Sequence, residues 1–364
     1  MKNSDQDLTQ LQGPLSPNIR ASGRSYLYFG GTAYLGIPQN PDFMALYQEG
    51  LKKFGLNNGT SRGNNVQLGI YNKAEHYAAQ YFGAEEALII SSGYLAAQLL
   101  VRHYADYGTM LYAPQTHPAL WLNGPPAVGG TFHRWAENTL THINTSKQTR
   151  WVLVSNALNN LFPERYDFSF LKEIHPENEV LLIADDSHGI GVLDDGRGVL
   201  NLIAAPKQVK VVVVASMAKA LGVDAGIILG PRELVTGLKK SNVFMGASPP
   251  AAAGLYAFMH AKAIYCAELN RLKQQMELFS AGIRSEEWDF IPDYPVYLSK
   301  DSDLYVKLLQ HNILISSFPY PDQNGPALNR VVLSSWAGRE NIDKLLDVIA
   351  AQKEYPSDRN FASP

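Results

Sequence analysis

Two short segments carry side chains whose chemistry is out of place in an ordinary hydrophobic core. SMAKALG, residues 216–222, sets Lys219 shortly after four consecutive valines, and DDSHGIG, residues 185–191, sets Asp185, Asp186 and His188 at the end of the apolar run EVLLIAD. A primary amine held in an apolar setting is a nucleophile for a carbonyl carbon. A carboxylate beside it can keep a proton on a nitrogen base, and the His188 imidazole and Ser216 hydroxyl can donate or accept hydrogen bonds or move protons. Both segments fall at the carboxyl ends of strand candidates, the edge at which ligands of open α/β sheets bind.

The elements that must position these groups are legible along the chain. Strand candidates are ALIIS (87–91), TMLYA (109–113), RWVLVS (150–155), EVLLIAD (179–185), VKVVVVAS (209–216) and AGIILG (225–230), six in all. Helical patterns lie between them, notably AEHYAAQYF (74–82) and SSGYLAAQLLVRHYADYG (91–108), so the expected class is α/β with a large, mostly parallel mixed sheet covered by helices on both faces. A long helical stretch opens at Pro249, followed by separate short strands and one late helix, NIDKLLDVIAAQK (341–353). This predicts a large domain over residues 42–240 and a smaller α+β domain built from residues 1–41 and 241–364. The polar ends, residues 1–22 and 355–364, are expected to be loosely held.

Composition narrows the partners. A net charge of −3 over 364 residues, with no basic run, argues against nucleic acid or an anionic membrane surface. Cys266 is the single cysteine, so no internal disulfide forms, and a cytoplasmic setting fits. The amino terminus MKNSDQDLTQLQG lacks the apolar core of a signal peptide, and no apolar run suggests a membrane span. None of the nine histidines pairs at a helical or hairpin ligand spacing, and no Gly-x-Gly-x-x-Gly follows an early strand; neither a metal nor a dinucleotide is expected. The expected ligand is a small molecule.

Pyridoxal phosphate has needs that this set of residues meets. Its aldehyde takes a lysine, Lys219; its ring nitrogen needs a carboxylate, Asp185; its phosphate needs backbone donors at a helix amino terminus, which Ser92, Gly93 and Tyr94 provide directly after a strand. An ion pair at ~4 Å and an effective dielectric near 20 contributes about 4 kcal/mol, enough to keep the ring nitrogen protonated if Asp185 is buried. The Ser216-x-x-Lys219 spacing also fits the nucleophile of β-lactamases and penicillin-binding proteins, but no Ser-Asp-Asn or Lys-Thr-Gly partner is present. His117 and His188 have a plainer reading as core histidines, Lys219 as a solvated lysine, and Arg330 as a strand-edge arginine in a surface ion pair. Asp186 reads as a turn cap.

From about Leu27 to Ala350 the chain resembles the α-oxoamine synthases, a family of fold-type I pyridoxal-phosphate enzymes. The family's Asp-Asp-Ala-His-Gly and Ser/Thr-x-x-Lys-Ala-x-Gly segments read DDSHGIG and SMAKALG here, with 219 − 185 = 34 positions between the key residues. YFGGTAYLGI, AEHYAAQYFGAEEALIISSGYLAA, LYAPQTHPALWLNG and ALNRVVLSSWAGRENIDKLL resemble further family segments in order. The resemblance implies that Lys219 carries the cofactor and acts as general base, that Asp185 holds the ring nitrogen, and that His117 stacks on the ring. It implies that His188 bonds a cofactor or substrate oxygen, that Gly93 and Tyr94 bind phosphate, and that Arg330 grips the amino-acid carboxylate. The implied reaction condenses an amino acid with an acyl-CoA thioester in a homodimer whose sites are shared between subunits.

Three departures touch mainly the substrate side. Thr32 stands where the family has an asparagine that helps hold the substrate carboxylate. SNALNNLFPERYD replaces Glu-Gly-x-x-Ser-Met-Asp-Gly-Asp, so Asn159 or Asn160 takes the place of a serine near the cofactor. The phosphate segment from the neighbouring subunit reads FMGASPP, leaving Ser248 as its only hydroxyl. An aminotransferase on the same fold, and a non-catalytic protein that kept the fold, remain alternatives.

Overall fold

The computed structural model describes residues 8–320 and 324–351. The chain opens with a hairpin, β1 (Asn18–Ala21) and β2 (Arg24–Phe29), closed by Ser22 and Gly23 at φ 49° and 75°. Positive φ at both loop positions matches the twist of the strands, and glycine adopts it without strain. Ile19 and Ala21 are buried, which corrects the expectation of a loose end up to residue 22: the chain is tied down from Asn18 onward. The expectation for residues 355–364 falls outside the described residues.

Helix α1 (Pro41–Phe54) begins where the Asn40 carboxamide oxygen accepts the Phe43 N–H at 2.9 Å, with Pro41 at its start. Helix α2 (Ile70–Phe82) stops at Gly83, which is left-handed at φ 74°. Then come β3 (Glu86–Ile90), α3 (Gly93–His103), β4 (Thr109–Tyr112), α4 (Phe132–Thr145) and β5 (Arg150–Asn156). A two-rung ribbon, β6 (Leu158–Asn159) and β7 (Glu164–Arg165), precedes β8 (Glu179–Asp185), β9 (Val209–Ser216) and β10 (Gly226–Gly230). Helices α5 (Arg232–Lys239), α6 (Asn242–Gly246), α7 (Ala252–His260) and α8 (Lys262–Gly282) follow, so the helical stretch after Pro249 is two helices that break at Ala261.

The six strands form one sheet in the order β3-β10-β9-β8-β5-β4. Strands β4, β5, β8 and β9 run parallel, whereas β10 is antiparallel to both β9 and β3. Consecutive residues such as Leu181, Leu182, Val212 and Val213 are all buried, so both faces of the sheet are covered. Helix α3 supplies part of that cover through Ala96, Ala97 and Leu100. A buried ion pair between Arg62 and Glu75, Nη1 to Oε1 at 3.1 Å, pins the α1–α2 connection, and the same Glu75 oxygen accepts the Ile89 N–H of β3.

The second sheet belongs to the smaller unit, in the order β1-β2-β13-β14-β12-β11, with β11 (Trp288–Phe290), β12 (Val296–Ser299), β13 (Ile313–Pro319) and β14 (Ala327–Val332). Helices α9 (Leu304–Gln310) and α10 (Arg339–Ala351) complete it. Strands β2 and β13 pair in parallel although they lie near opposite ends of the sequence.

The two compact units divide the chain at Gln39/Asn40 and at Leu269/Asn270, with Leu161–Pro163 assigned to the smaller one. Residues 241–269 therefore sit with the large sheet rather than with the small domain. Helix α7 packs along α1 and α2, so closely that a Cβ on Gly50 would lie 2.8 Å from the Ala253 Cα. No helix among the described residues is long and apolar enough to cross a membrane.

Candidate active site

Strands β8 and β9 are neighbours, and their ends deliver Asp185 and Ser216 to one edge of the sheet. Beyond them the chain turns in both cases, and the turns bring the Lys219 Nζ to 2.9 Å from the His188 Nε2. Burial holds the Lys219 amine below its ordinary pKa, and the nearby Asp185 charge opposes that shift only in part. Such an amine is more available as a nucleophile or base than a solvated lysine. The Asp185 carboxylate is oriented by its own turn: Oδ1 accepts the Ser187 N–H at 2.9 Å.

Asp186 points the other way. Its Oδ2 accepts the Val199 N–H at 2.9 Å, and its main-chain carbonyl accepts the Gly189 and Ile190 N–H groups. Burial pushes its carboxyl up to about 8, with the Asp185 charge adding to the effect. It locks the turn that carries His188.

The amino end of α3 lies against the same strand end. Ser92 caps it, its Oγ accepting the Leu95 N–H at 3.1 Å, and the Ser92 carbonyl accepts the Ala96 N–H. This leaves the Gly93 and Tyr94 N–H groups at the positive end of the helix dipole, where an anion binds. Gly93 is required by contact: a Cβ there would sit 2.6 Å from the Ser216 Cβ and 2.8 Å from its Cα. Gly226 makes the same allowance on the other side, since its Cβ would meet the Ser92 carbonyl oxygen. The Tyr94 side chain is 61% exposed, so its contribution to this edge is its backbone.

His117 is the third member of the cluster. Burial lowers its pKa, Asp185 opposes the shift and the Lys219 charge reinforces it, which places all three within electrostatic reach of one another. Its Nδ1 accepts the Ala119 N–H at 3.1 Å, so the ring is aimed by its own backbone. Asn156, at the end of β5 and in register with Asp185, completes the support: Oδ1 accepts the His117 N–H at 3.0 Å and Nδ2 donates to the Gln115 carbonyl at 2.7 Å. Gln115 holds the uncommon φ of 58°, and its side-chain oxygen accepts from the Asn159 amide. The altered segment is thus wired to the histidine loop through Asn156 and Asn159, whereas Asn160 is half-buried beside them on the ribbon loop.

The other expected residues stand on other elements. Ser248 is exposed on the loop between α6 and α7. Thr32 and Arg330 belong to the smaller unit. There Arg330, on β14, is 7% exposed, and its guanidinium lies 4.9 Å from the Phe318 ring centroid. Burial lowers its pKa, opposed by Tyr34 and Tyr294, whose hydroxyls are 2.8 Å apart. Burial in turn pushes the Tyr34 phenol up to about 12.

Two contributors were not read from the sequence. Asn156 lies one residue beyond the last position assigned to its strand. Ser187 sits inside DDSHG, where the resembled family has alanine, and its Oγ accepts the Ser216 N–H at 2.9 Å.

Residues 34–349 match the family model described as Aminotransferase class I and II. The chain is 22% identical over 356 residues to 8-amino-7-oxononanoate synthase of Saccharophagus degradans, covering 93% of this chain and 90% of that one. It is 27% identical over 251 residues to the synthase of that name from Chromobacterium violaceum, covering 67% and 65% of the two chains. The structure of Sphingomonas wittichii serine palmitoyltransferase superposes with a TM-score of 0.78 at 16% identity, over 95% of this chain and 93% of that one. An 8-amino-7-oxononanoate synthase from Francisella tularensis gives 0.67 at 17% identity, over 91% and 98%. At these identities the structural likeness establishes the fold, which is that of fold-type I pyridoxal-phosphate enzymes.

Proposed function

The chain belongs to the aminotransferase class I and II family, and on that premise we propose that it is a pyridoxal-phosphate-dependent transferase that condenses an amino acid with an acyl-CoA thioester. The observation that carries this reading is the desolvated Lys219 amine, 2.9 Å from His188 and within reach of Asp185 and His117, beside the capped start of α3. The cradle fits the cofactor: a Cβ on Gly93 would fill the space against Ser216, and the Gly93 and Tyr94 N–H groups form an anion site. When bound, pyridoxal phosphate supplies an aldehyde for the lysine and an electron-withdrawing ring for the substrate α-carbon.

Asp185, held by the Ser187 N–H, keeps a proton on the ring nitrogen, and Ser216 joins Gly93 and Tyr94 in binding the phosphate. His117, whose burial favours the neutral ring, would cover a face of the cofactor ring, and His188 would bond a cofactor or substrate oxygen. Lys219, whose burial favours the neutral amine, takes the α-proton as general base. A new carbon–carbon bond would join the α-carbon to the thioester carbonyl carbon as the carbon–sulfur bond breaks and the sulfur leaves, with a proton, as the thiol; the α-carboxylate then leaves as carbon dioxide and a proton takes its place on the α-carbon. Arg330, aided by Thr32, grips that carboxylate; a desolvated guanidinium suits it. We propose a cytoplasmic homodimer in which the exposed Ser248 serves the neighbouring subunit's phosphate site.

Borohydride reduction of the cofactor-loaded protein should label Lys219, and an amino acid with an acyl thioester should release free thiol. A label on another residue would overturn the cofactor assignment. If an amino acid alone turns the cofactor into its amine form and a keto acid restores it, the aminotransferase reading replaces acyl transfer.

A further inference from the structure

In a parallel ladder each residue of one strand bridges two residues of its neighbour, so the hydrogen bond from Asp186 N–H to the Val214 carbonyl at 2.8 Å calls for a following one from Ser216 N–H to the Asp186 carbonyl. That bond is not made. The Asp186 carbonyl is turned into the next bend, where it accepts the Gly189 and Ile190 N–H groups at 3.1 and 3.0 Å. The bend is what carries His188 to Lys219. Turning the chain this early would strand the Ser216 N–H at the half-buried end of β9, and a donor left unpaired away from water is costly.

Ser187 removes that conflict. Its Oγ takes the Ser216 N–H at 2.9 Å, standing in for the missing carbonyl, while its own N–H donates to Asp185 Oδ1 at 2.9 Å. The residue is only 7% exposed, so water competes poorly for either bond. Ser216 in turn is the surface on which Gly93 rests. One residue therefore joins the carboxylate, the end of the lysine strand and the anion-binding start of α3.

We propose that Ser187 is a positioning residue that sets the spacing between Asp185 and the Gly93–Ser216 cradle by completing the β8–β9 ladder with its side chain. The inference rests on the cofactor reading above for its consequence, and on backbone geometry for its cause. The two are tested separately with Ser187→Ala and Ser187→Thr, the second keeping the hydroxyl.

In the cofactor-free protein, amide hydrogen exchange at Ser216 should accelerate about tenfold in Ser187→Ala and stay near the wild-type rate in Ser187→Thr, because the alanine removes the acceptor. Titration of the same cofactor-free proteins with pyridoxal phosphate, followed by visible absorbance, should give a dissociation constant about tenfold higher for Ser187→Ala, with the threonine restoring most of the affinity. Unchanged Ser216 exchange in Ser187→Ala would overturn the proposed hydrogen bond. Faster exchange with unchanged affinity would overturn the positioning role and leave a purely structural one. If the wild-type protein itself takes up no pyridoxal phosphate, the functional reading fails, and with it the positioning role; the exchange result then still decides the hydrogen bond.

Discussion

Asp186 makes the fold less stable as pH rises, and Asp186→Asn should remove that dependence. Burial raises its folded-state pKa to about 8 from an ordinary 3.8, so between those values the folded protein keeps a proton that the unfolded chain has released. The contribution is fully present below about pH 4 and is lost progressively as pH climbs towards 8. Each unit inside that window costs about 1.4 kcal/mol, so between pH 5 and pH 7 this one carboxyl should remove roughly 3 kcal/mol of stability.

Asparagine keeps the size and an oxygen for the Val199 N–H, yet does not titrate. Lys219 and His117, both with depressed folded-state pKa values, act in the opposite sense, their penalties growing as pH falls below the pKa of the unfolded group. They are common to both proteins and cancel in the difference. Urea unfolding of cofactor-free wild type and variant at pH 5, 6 and 7 should therefore show the variant gaining about 1.4 kcal/mol on the wild type per unit. A difference that is constant across these three values would mean that Asp186 is ionised in the fold, and the account of a neutral carboxyl locking the turn would be wrong.

Gly93→Ala places a Cβ 2.6 Å from the Ser216 Cβ. Overpacking of this kind costs about 1 to 3 kcal/mol, so pyridoxal phosphate affinity, read by absorbance titration, should fall roughly five- to a hundredfold; unchanged affinity would refute the cradle. Arg330→Ala should weaken the amino acid, read from its spectral titration, by about ten- to a hundredfold and leave cofactor affinity intact; an equal loss of both would point to a structural role. Sedimentation of the loaded protein should give twice the 40.2 kDa chain mass, and a fully loaded monomer would contradict the shared phosphate site.

What could be read from the sequence is whatever short-range pattern dictates. Five of the six strands of the large sheet are legible because each is a run of mostly β-branched and aliphatic residues that is largely buried, the edge strand β4 being only partly so, and the Asp185, His188 and Lys219 segments are legible because each is a local motif. The reversed direction of β10 left a trace as well. Only residues 217–225 separate it from β9, too few for the crossover that a parallel neighbour needs. Helix α4 carried its own signal in Phe132, Trp135, Ala136, Thr139 and Ile143, one buried face at helical spacing, within a segment dominated by polar residues.

The rest depends on which distant segments become neighbours. The pairing of β2 with β13 and the Arg62–Glu75 pair have no local signature, nor does the reach of Asn156 across to Gln115 and His117, 41 and 39 positions away. Ser187 shows the limit most clearly, since it stands inside the DDSHG motif and nothing local marks its role. Its hydroxyl matters only because the Asp186 carbonyl is occupied by the bend that delivers His188, and that conflict exists only once β8 and β9 lie side by side. A motif names the groups that do chemistry, whereas the side chains that reconcile those groups with the backbone become visible when every N–H and carbonyl at the strand ends has been assigned a partner.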